Sequence, residues 1–377
     1  MEKFLILGIS NGGLFLARQL RRQWPDSIIY AVGDIKKDIG RFSNAINRFF
    51  GFHSIDELHS TIEKAYQDIG GGTVHAYMCT NPILECILRN HSELFEYLTF
   101  ENPHQVYQKF VDKNKAIQLC QQLNVNIPEE YEMTDIENTN ISFPVVIKPL
   151  EKASTIGADK CMYISDIETL KNYVKRIESN HIDRSKLICQ QCVQGDNRWE
   201  YGYGGFFKDG EPTVDICFYQ FRQVPQGLCC YCREMTDNHL QHQIKALVEP
   251  ILKATRYNGF MEFDIKQDEF SKELFLLDIN PRPWRSSDML AAKIKGSTIF
   301  QPIISDKKIV WRYRYRELNS GINKKNVSYS TCKELTKGYK TKSQQTLYDT
   351  KDIKPYIYQW KQDVGELFGK VFSRVRK

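Results

Sequence analysis

The residues of this 377-residue chain best suited to chemistry are four polar side chains on two neighbouring alternating segments, Gly259-Phe260-Met261-Glu262-Phe263-Asp264-Ile265-Lys266 and residues 273–280. With a polar turn between them, these segments have the pattern of an antiparallel hairpin. A turn centred near Phe270 puts Glu262 opposite Asp278, and period-two alternation puts Asp264 and Asn280 on the same face. Carboxylates gathered beside the apolar Phe260 and Leu276 cannot all stay ionised without a cation. A hard divalent ion held by Asp278, the amide oxygen of Asn280 and either Glu262 or Asp264 resolves the conflict. Oxygen-only ligands in small number favour magnesium (Mg2+), whose remaining positions go to water and phosphate. The competing reading is an exposed hairpin with scattered acids.

Two upstream lysines offer the complementary charge. Lys148 ends the apolar run 143–147 and precedes Pro149, so its ammonium sits on a rigid element and suits a phosphate as a point charge. Lys113, within Asp112-Lys113-Asn114-Lys115, is a second candidate. For each alone, the alternative is a solvated surface lysine.

The elements that must position these groups follow from periodicity. Residues 4–9 read as a buried strand, Gly12-Gly13 as a turn, 14–22 as a helix and 27–32 as a second strand, an order expected of a parallel, doubly wound sheet. Residues 75–79 and 82–98 continue the alternation as strand and helix. Val106, Phe110, Ile117 and Cys120 have helical spacing. Ser165-x-x-Glu168 reads as a capping box for a helix with Ile167, Leu170, Val174 and Ile177 on its buried stripe. Strands are expected at 187–193, 200–207 and 213–219. Asn238 is the expected cap of a helix burying Leu240, Ile244, Leu247, Val248 and Ile251.

Taken together, Asp112-Lys113, Phe143-Pro144-Val145-Val146-Ile147-Lys148-Pro149, Gln190-Gln191-Cys192-Val193-Gln194-Gly195, residues 259–264 and Asp278-Ile279-Asn280-Pro281-Arg282 resemble the ATP-grasp superfamily over about residues 1–300. Biotin carboxylase, carbamoyl-phosphate synthetase and D-alanine:D-alanine ligase share this order. The resemblance implies an α/β chain in three parts: a Rossmann-like pre-ATP-grasp domain at 1–105, a two-lobed α+β ATP-grasp domain at 106–300 (lobes 106–190 and 191–300), and a basic C-terminal extension at 301–377. It implies ATP and Mg2+ as cofactors. Lys113 and Lys148 would contact ATP phosphates, and the backbone of Gln191, Cys192 and Val193 would read adenine. Asp278, Asn280 and one of Glu262 and Asp264 would hold magnesium, while Arg282 would steady an acyl phosphate or a substrate carboxylate. The chain departs from the family pattern at Asp278, where Glu is usual, at Gln191, where an acid is common, and in loop 151–160, which has only Gly157.

Residues 221–227 and Asn280-Pro281-Arg282-Pro283-Trp284 look most like the D-aspartate-ligase-like carboxylate-amine ligases. That resemblance makes Arg222 and Arg285 candidates for an anionic substrate. The implied reaction joins a small-molecule carboxylate to an amine at the expense of ATP. A non-catalytic nucleotide-binding scaffold is the alternative.

Two motifs compete. Gly8-x-Ser10-x-Gly12-Gly13 with Asp34 resembles a dinucleotide-binding turn, as in an NAD(P)-dependent oxidoreductase, but its third glycine is out of place. Cys189-x-x-Cys192 and Cys229-x-x-Cys232 invite a four-cysteine zinc site. Their separation and the opposed faces of residues i and i+3 on a strand favour packed, reduced thiols instead.

Composition narrows the class. The formal charge is +6, yet residues 300–377 carry 18 Lys and Arg against 7 Asp and Glu, or +11, leaving −5 for residues 1–299. A nucleic-acid binder that is basic throughout is excluded, and no nucleic-acid partner is expected. No apolar run approaches the ~18 residues of a membrane span, so a cytoplasmic protein is expected. The amphipathic pattern at 356–377 admits docking of residues 350–377 onto an acidic partner or the inner face of a membrane, or packing of its Trp360 and Leu367 stripe on the chain's own body.

Overall fold

The run Phe4-Leu5-Ile6-Leu7 lies in β1 (Lys3–Leu7), the central strand of a parallel sheet in the computed structural model. The structure describes residues 1–136, 140–150, 161–224, 228–294, 296–305, 309–312 and 348–362. With β2 (Ile28–Asp34), β3 (Arg48–Phe52), β4 (His75–Met78) and β5 (Thr99–Phe100), the sheet has the order β3-β2-β1-β4-β5. Leu5, Ile6 and Leu7 are fully buried, as expected of a strand covered on both faces. The connecting helices include α1 (Asn11–Gln23), α2 (Leu58–Asp68) and α3 (Asn81–Asn90). The single helix expected over 82–98 is two: α3 ends at the cap residue His91, and α4 (Leu94–Tyr97) follows after a short turn.

The next helical segment is also divided. Asp112 has an extended backbone between α5 (His104–Val111) and α6 (Lys113–Gln122), and its carboxylate accepts from the amides of Asn114 and Lys115 at 3.0 and 3.2 Å. Lys113 therefore opens a capped helix.

Two antiparallel sheets follow. β6 (Glu130–Tyr131), β7 (Val145–Pro149), β8 (Met162–Ile164) and β9 (Leu187–Gln191) form a four-stranded sheet of order β6-β9-β7-β8, covered by α7 (Ile167–Ser179). Asp166, rather than Ser165, caps α7 by accepting from Thr169 N at 2.8 Å, and Ile167 is exposed, so the stripe is Leu170, Tyr173, Val174 and Ile177. The second sheet joins β10 (Glu200–Lys208), β11 (Glu211–Val224), β12 (Leu228–Glu234), β13 (Gly259–Gln267), β14 (Leu274–Asn280) and β15 (Val310–Arg312) in the order β14-β13-β10-β11-β12-β15. Helix α8 (Asn238–Thr255) packs on it, capped by Asp237 instead of Asn238. The short α9 (Met289–Lys293) follows the segment that leaves β14.

The cores explain the architecture. Leu5, Val32, Ile87, Met261 and Phe263 belong to one apolar cluster, and Ile6, Leu14, Phe260, Trp284 and Trp311 to another, so the parallel sheet and the six-stranded sheet are packed together. The four-stranded sheet and α7 have a separate core built on Ile147, Ile164, Leu170 and Cys189.

Candidate active site

The acids of the hairpin share one face. Along β13, Met261, Phe263 and Ile265 enter the core, while Glu262 and Asp264 stand half-exposed on the other side. The register corrects the sequence expectation: Glu262 pairs with Asn280 and Asp264 with Asp278. The strands pair Gln267 with Leu274, one residue off a turn centred on Phe270, and an irregularity after Asp264 pairs Ile265 with Leu276, leaving Leu277 as a bulge. These two one-residue displacements sum to two, so the facing side is preserved although the partners change.

Asn280 is buried, and its Nδ2 lies 3.4 Å from Glu262 Oε2 and 3.3 Å from Asp264 Oδ2. Its Oδ1, expected to meet a cation, accepts from Arg282 Nη2 at 3.1 Å. Gln220, a buried β11 residue, donates to Asp264 Oδ1 at 2.9 Å. Among the described residues the three carboxylates do not close into a single tight cluster. Even so, the donor set on this face is all hard oxygen apart from amide groups, which suits magnesium with phosphate and water completing its shell.

Both lysines line a cleft with Glu130, Gln190, Leu276 and Asp278, the one hairpin carboxylate among its lining residues. An adjoining hollow joins Asn81, Glu85 and Lys113 to Asp278 and Asn280. On β7, Val145 and Ile147 are buried and Lys148 alternates to the open side. Lys113 Nζ donates to the carbonyl of Pro149 at 2.7 Å, which anchors it beside the end of β7. Glu130 accepts from Gln190 Nε2. Burial raises its pKa above the usual carboxylate value, while the Gln190 hydrogen bond and the ammonium groups of Lys148 and Lys113 pull the other way. Glu130 has no sequence signal, and Gln190 stands in the hinge motif without an expected site role, although two consecutive glutamines in an apolar strand signal one polar side chain turned to each face.

The hinge is partly committed elsewhere. The amide of Gln191 donates to Glu129 O at 2.8 Å and that of Cys192 to Pro144 O at 3.0 Å. Val193 is buried, and Gln194 N donates to Asp268 Oδ2 at 2.9 Å, tying the segment to the hairpin turn. The residue of this segment that lines the cleft is Gln190.

Arg282 links the two packed sheets. Its Nε donates to Asn81 Oδ1 at the start of α3, and Nη1 donates to Pro283 O at 3.1 Å. Arg285 is half-buried beside the buried Trp284 and Ser286. The backbone of Arg222 pairs with Tyr231, but its side chain lies outside the described residues, as does the loop 151–160.

Gly12 and Gly13, expected in a turn, instead lie in the first turn of α1 and have a packing role. A Cβ on Gly12 would come within 2.7 Å of Pro283 O, so this glycine permits close contact between α1 and the segment that carries Arg282. Asp34 accepts from the amides of Lys36 at 2.7 Å and Lys37 at 3.2 Å, closing its own turn. Cys189 is buried in the core of the four-stranded sheet, far in topology from β12. Cys229 and Cys232 do not face opposite sides as a regular strand would require: irregular β11–β12 pairing brings their sulfurs to 3.2 Å, with Cys232 buried.

Glu101 was also missed by sequence. It follows β5, and a Cβ on Gly259 would come within 2.1 Å of its Oε2, so only glycine leaves room for the carboxyl. Burial pushes its pKa from 4.5 to about 8. The folded chain therefore keeps a proton that the unfolded chain loses, and stability falls as pH rises from about 4.5 to about 8. Glu101→Gln is expected to raise the thermal midpoint, with a gain over wild type that is small at pH 5 and largest at pH 8. A gain independent of pH over that range would refute the assignment.

No family model matches the chain. It is 23% identical over 229 residues to the D-aspartate ligase of Enterococcus faecium (strain Aus0004), covering 55% of this chain and 53% of that protein. The chain thus spans about half the length of the curated relatives it matches. Its fold is similar to that of N5-carboxyaminoimidazole synthetase from Staphylococcus aureus, solved with ADP, with a TM-score of 0.63 at 12% identity over 80% of this chain and 75% of the other. It is also similar to the biotin carboxylase domain of the Hydrogenobacter thermophilus 2-oxoglutarate carboxylase, solved with MgADP, with a TM-score of 0.60 at 13% identity over 80% and 68%.

Proposed function

We propose that this chain, which resembles the ATP-grasp carboxylate-amine ligases in sequence and shares their fold, is an ATP-dependent ligase that activates a small-molecule carboxylate and joins it to an amine. The observation that carries this reading is the cleft lined together by Lys113 on α6, Lys148 on the four-stranded sheet and Asp278 on the six-stranded sheet. In the first step a carboxylate oxygen bonds to the γ-phosphorus of ATP as the bond to ADP breaks. In the second, the amine nitrogen bonds to the acyl carbon, phosphate leaves with the carbon–oxygen electron pair, and the amine loses a proton. No protein nucleophile is consumed, so the protein's task is to position the reactants and neutralise charge.

Lys148 and Lys113 supply positive charge to the phosphates from fixed points on β7 and α6. Asp278, Asn280 and one of Glu262 and Asp264 would hold magnesium, which neutralises phosphate charge during transfer. Arg282, braced by Asn81 and Asn280, steadies the acyl phosphate or the substrate carboxylate. Gln190 and the following hinge residues meet the base at the rim of the cleft. Arg285 and Arg222 bind an anionic substrate, because a guanidinium engages a carboxylate through two parallel hydrogen bonds.

The test is an ADP-release screen of amino acids and hydroxy acids, each paired with amine acceptors, in the presence of magnesium. ADP formation that requires both an acid and an amine, with product mass equal to their sum less water, is the expected result. Tight Mg-ATP binding without ADP formation across the panel would instead identify a nucleotide-binding scaffold.

A further inference from the structure

We infer that His59, His91 and Glu93 form a second, separate metal site on the N-terminal domain, suited to a borderline divalent transition ion such as zinc. These three are the one group of its kind among the described residues, with ligand atoms all within 4.8 Å of one another. His59 Nε2 lies 3.2 Å from Glu93 Oε1, and His91 Nδ1 lies 3.3 Å from the same oxygen. A tetrahedral zinc ion with bonds of about 2.0–2.2 Å separates its ligands by roughly 3.3 Å, so two of the three edges already have the required length. The imidazoles stand nearly parallel, 4.8 Å between centroids and 16° between planes, with one nitrogen of each turned to the shared oxygen.

The site joins two separately anchored elements. His59 lies in the first turn of α2, next to the fully buried Leu58, and Glu63 follows one turn later. His91 caps α3, and Glu93 immediately precedes the fully buried Leu94. The other ring nitrogen of His59 faces Glu63 Oε2 at 3.9 Å, beyond hydrogen-bond distance, which places a carboxylate behind the ligand where a small side-chain rotation on metal binding would let it fix the tautomer and strengthen the donor. Side-chain exposures of 28% for His59 and 22% for His91 leave the site open to an entering ion and a fourth, water ligand. Two imidazoles and one carboxylate select zinc, cobalt or copper over magnesium, so this site and the all-oxygen hairpin differ in kind.

The experiment uses the full chain, stripped with chelator and held in excess Mg2+, and titrates Zn2+ against a chromophoric chelator. One equivalent is expected to bind and to raise the thermal midpoint, and Co2+ is expected to give the intense visible bands of a tetrahedral site. His59→Ala and His91→Ala should each weaken zinc binding at least ~100-fold, Glu63→Gln about 10-fold, and Asp278→Asn not at all. All four changes lie at exposed or half-exposed side chains, and circular dichroism verifies folding. Absence of stoichiometric zinc, or equal zinc affinity in wild type and His59→Ala, would overturn the site. In that case the two imidazoles merely hydrogen-bond to Glu93.

Discussion

Replacing Asp278 with Asn is expected to lower the rate of ADP formation by about 10²–10³-fold while the protein stays folded. Asp278 lines both the lysine cleft and the hollow beside Asn81, and it pairs across the hairpin with Asp264. Asn has the same shape, so packing is preserved. The lost charge relieves repulsion with Asp264 and Glu262, so the thermal midpoint should hold steady or rise. What is lost is a full negative charge on a hard oxygen, the property that holds a divalent cation near phosphate. The deficit should shrink as magnesium is raised, because mass action refills a weakened site, whereas raising ATP at fixed free magnesium should not rescue it. Turnover at the wild-type rate would remove Asp278 from the metal set. Asp264→Asn is the informative comparison, because Gln220 already donates to Asp264 and the substituted side chain could present an NH2 group to it.

The hairpin shows what was legible in the sequence and what was not. Alternation identified which residues share a face, since facing depends only on whether a residue is odd or even along the strand. Which residues lie opposite depends on turn length and on the bulge at Leu277, neither of which has a distinctive residue signature here. The cleft was half legible for a similar reason. Lys148 is marked by its place at the end of an apolar strand, but Glu130 acquires meaning only when β6 pairs with β9 and puts Glu130 beside Gln190. The helix caps show competition between adjacent polar residues. At both Ser165-Asp166 and Asp237-Asn238 the aspartate takes the capping position, where its charged oxygen is favoured by the helix dipole. His59 and His91, separated by 32 positions with no motif spacing, had no sequence signal at all.

The basic C-terminal segment provides the second large effect. Its composition suggested attraction to an acidic surface, yet the side chain that ties its described part to the body is an acid. Asp352 is buried between α1 and the loop that follows β2: Arg18 Nε donates to its Oδ2 at 2.9 Å, Ser43 Oγ donates to the same oxygen, and the amide of Asn44 donates to Oδ1 at 2.8 Å. Tyr358 packs on Phe42 with 4.1 Å between ring centroids. The apolar stripe expected to do the packing begins exposed, with Ile357 at 43% and Trp360 at 59%, and its continuation through Leu367 lies outside the described residues. Asp352→Ala removes the carboxylate that faces a buried guanidinium, a change that costs about 3–5 kcal/mol when the cation must stay buried. Here the cation need not stay buried, because release of the segment returns Arg18 to water. The remaining attachments include the Arg18 Nη2 bond to the Asp352 carbonyl at 2.9 Å, the half-buried Tyr356 on the core, the Tyr358 contacts with Phe42 and Arg41, and the surface pair Arg22–Asp349, worth at most ~1 kcal/mol, none of which offsets the charge of a guanidinium left buried. Undocking is therefore the lower-energy response. Trypsin cleavage after Lys351 (Lys354 precedes Pro355 and resists trypsin), followed by mass spectrometry under native conditions and normalised to cleavage of a short unfolded peptide of each sequence, should accelerate at least ~10-fold in Asp352→Ala, since opening by 1.4 kcal/mol or more changes the exposed population by that factor. Anionic-liposome binding, measured on the same variant, then separates the two roles of the segment. Binding that strengthens on release means the docked state sequesters a membrane-seeking face, while unchanged weak binding means that docking on the body is the segment's whole role. Cleavage at the wild-type rate would show that the ion pair does not hold the segment in place.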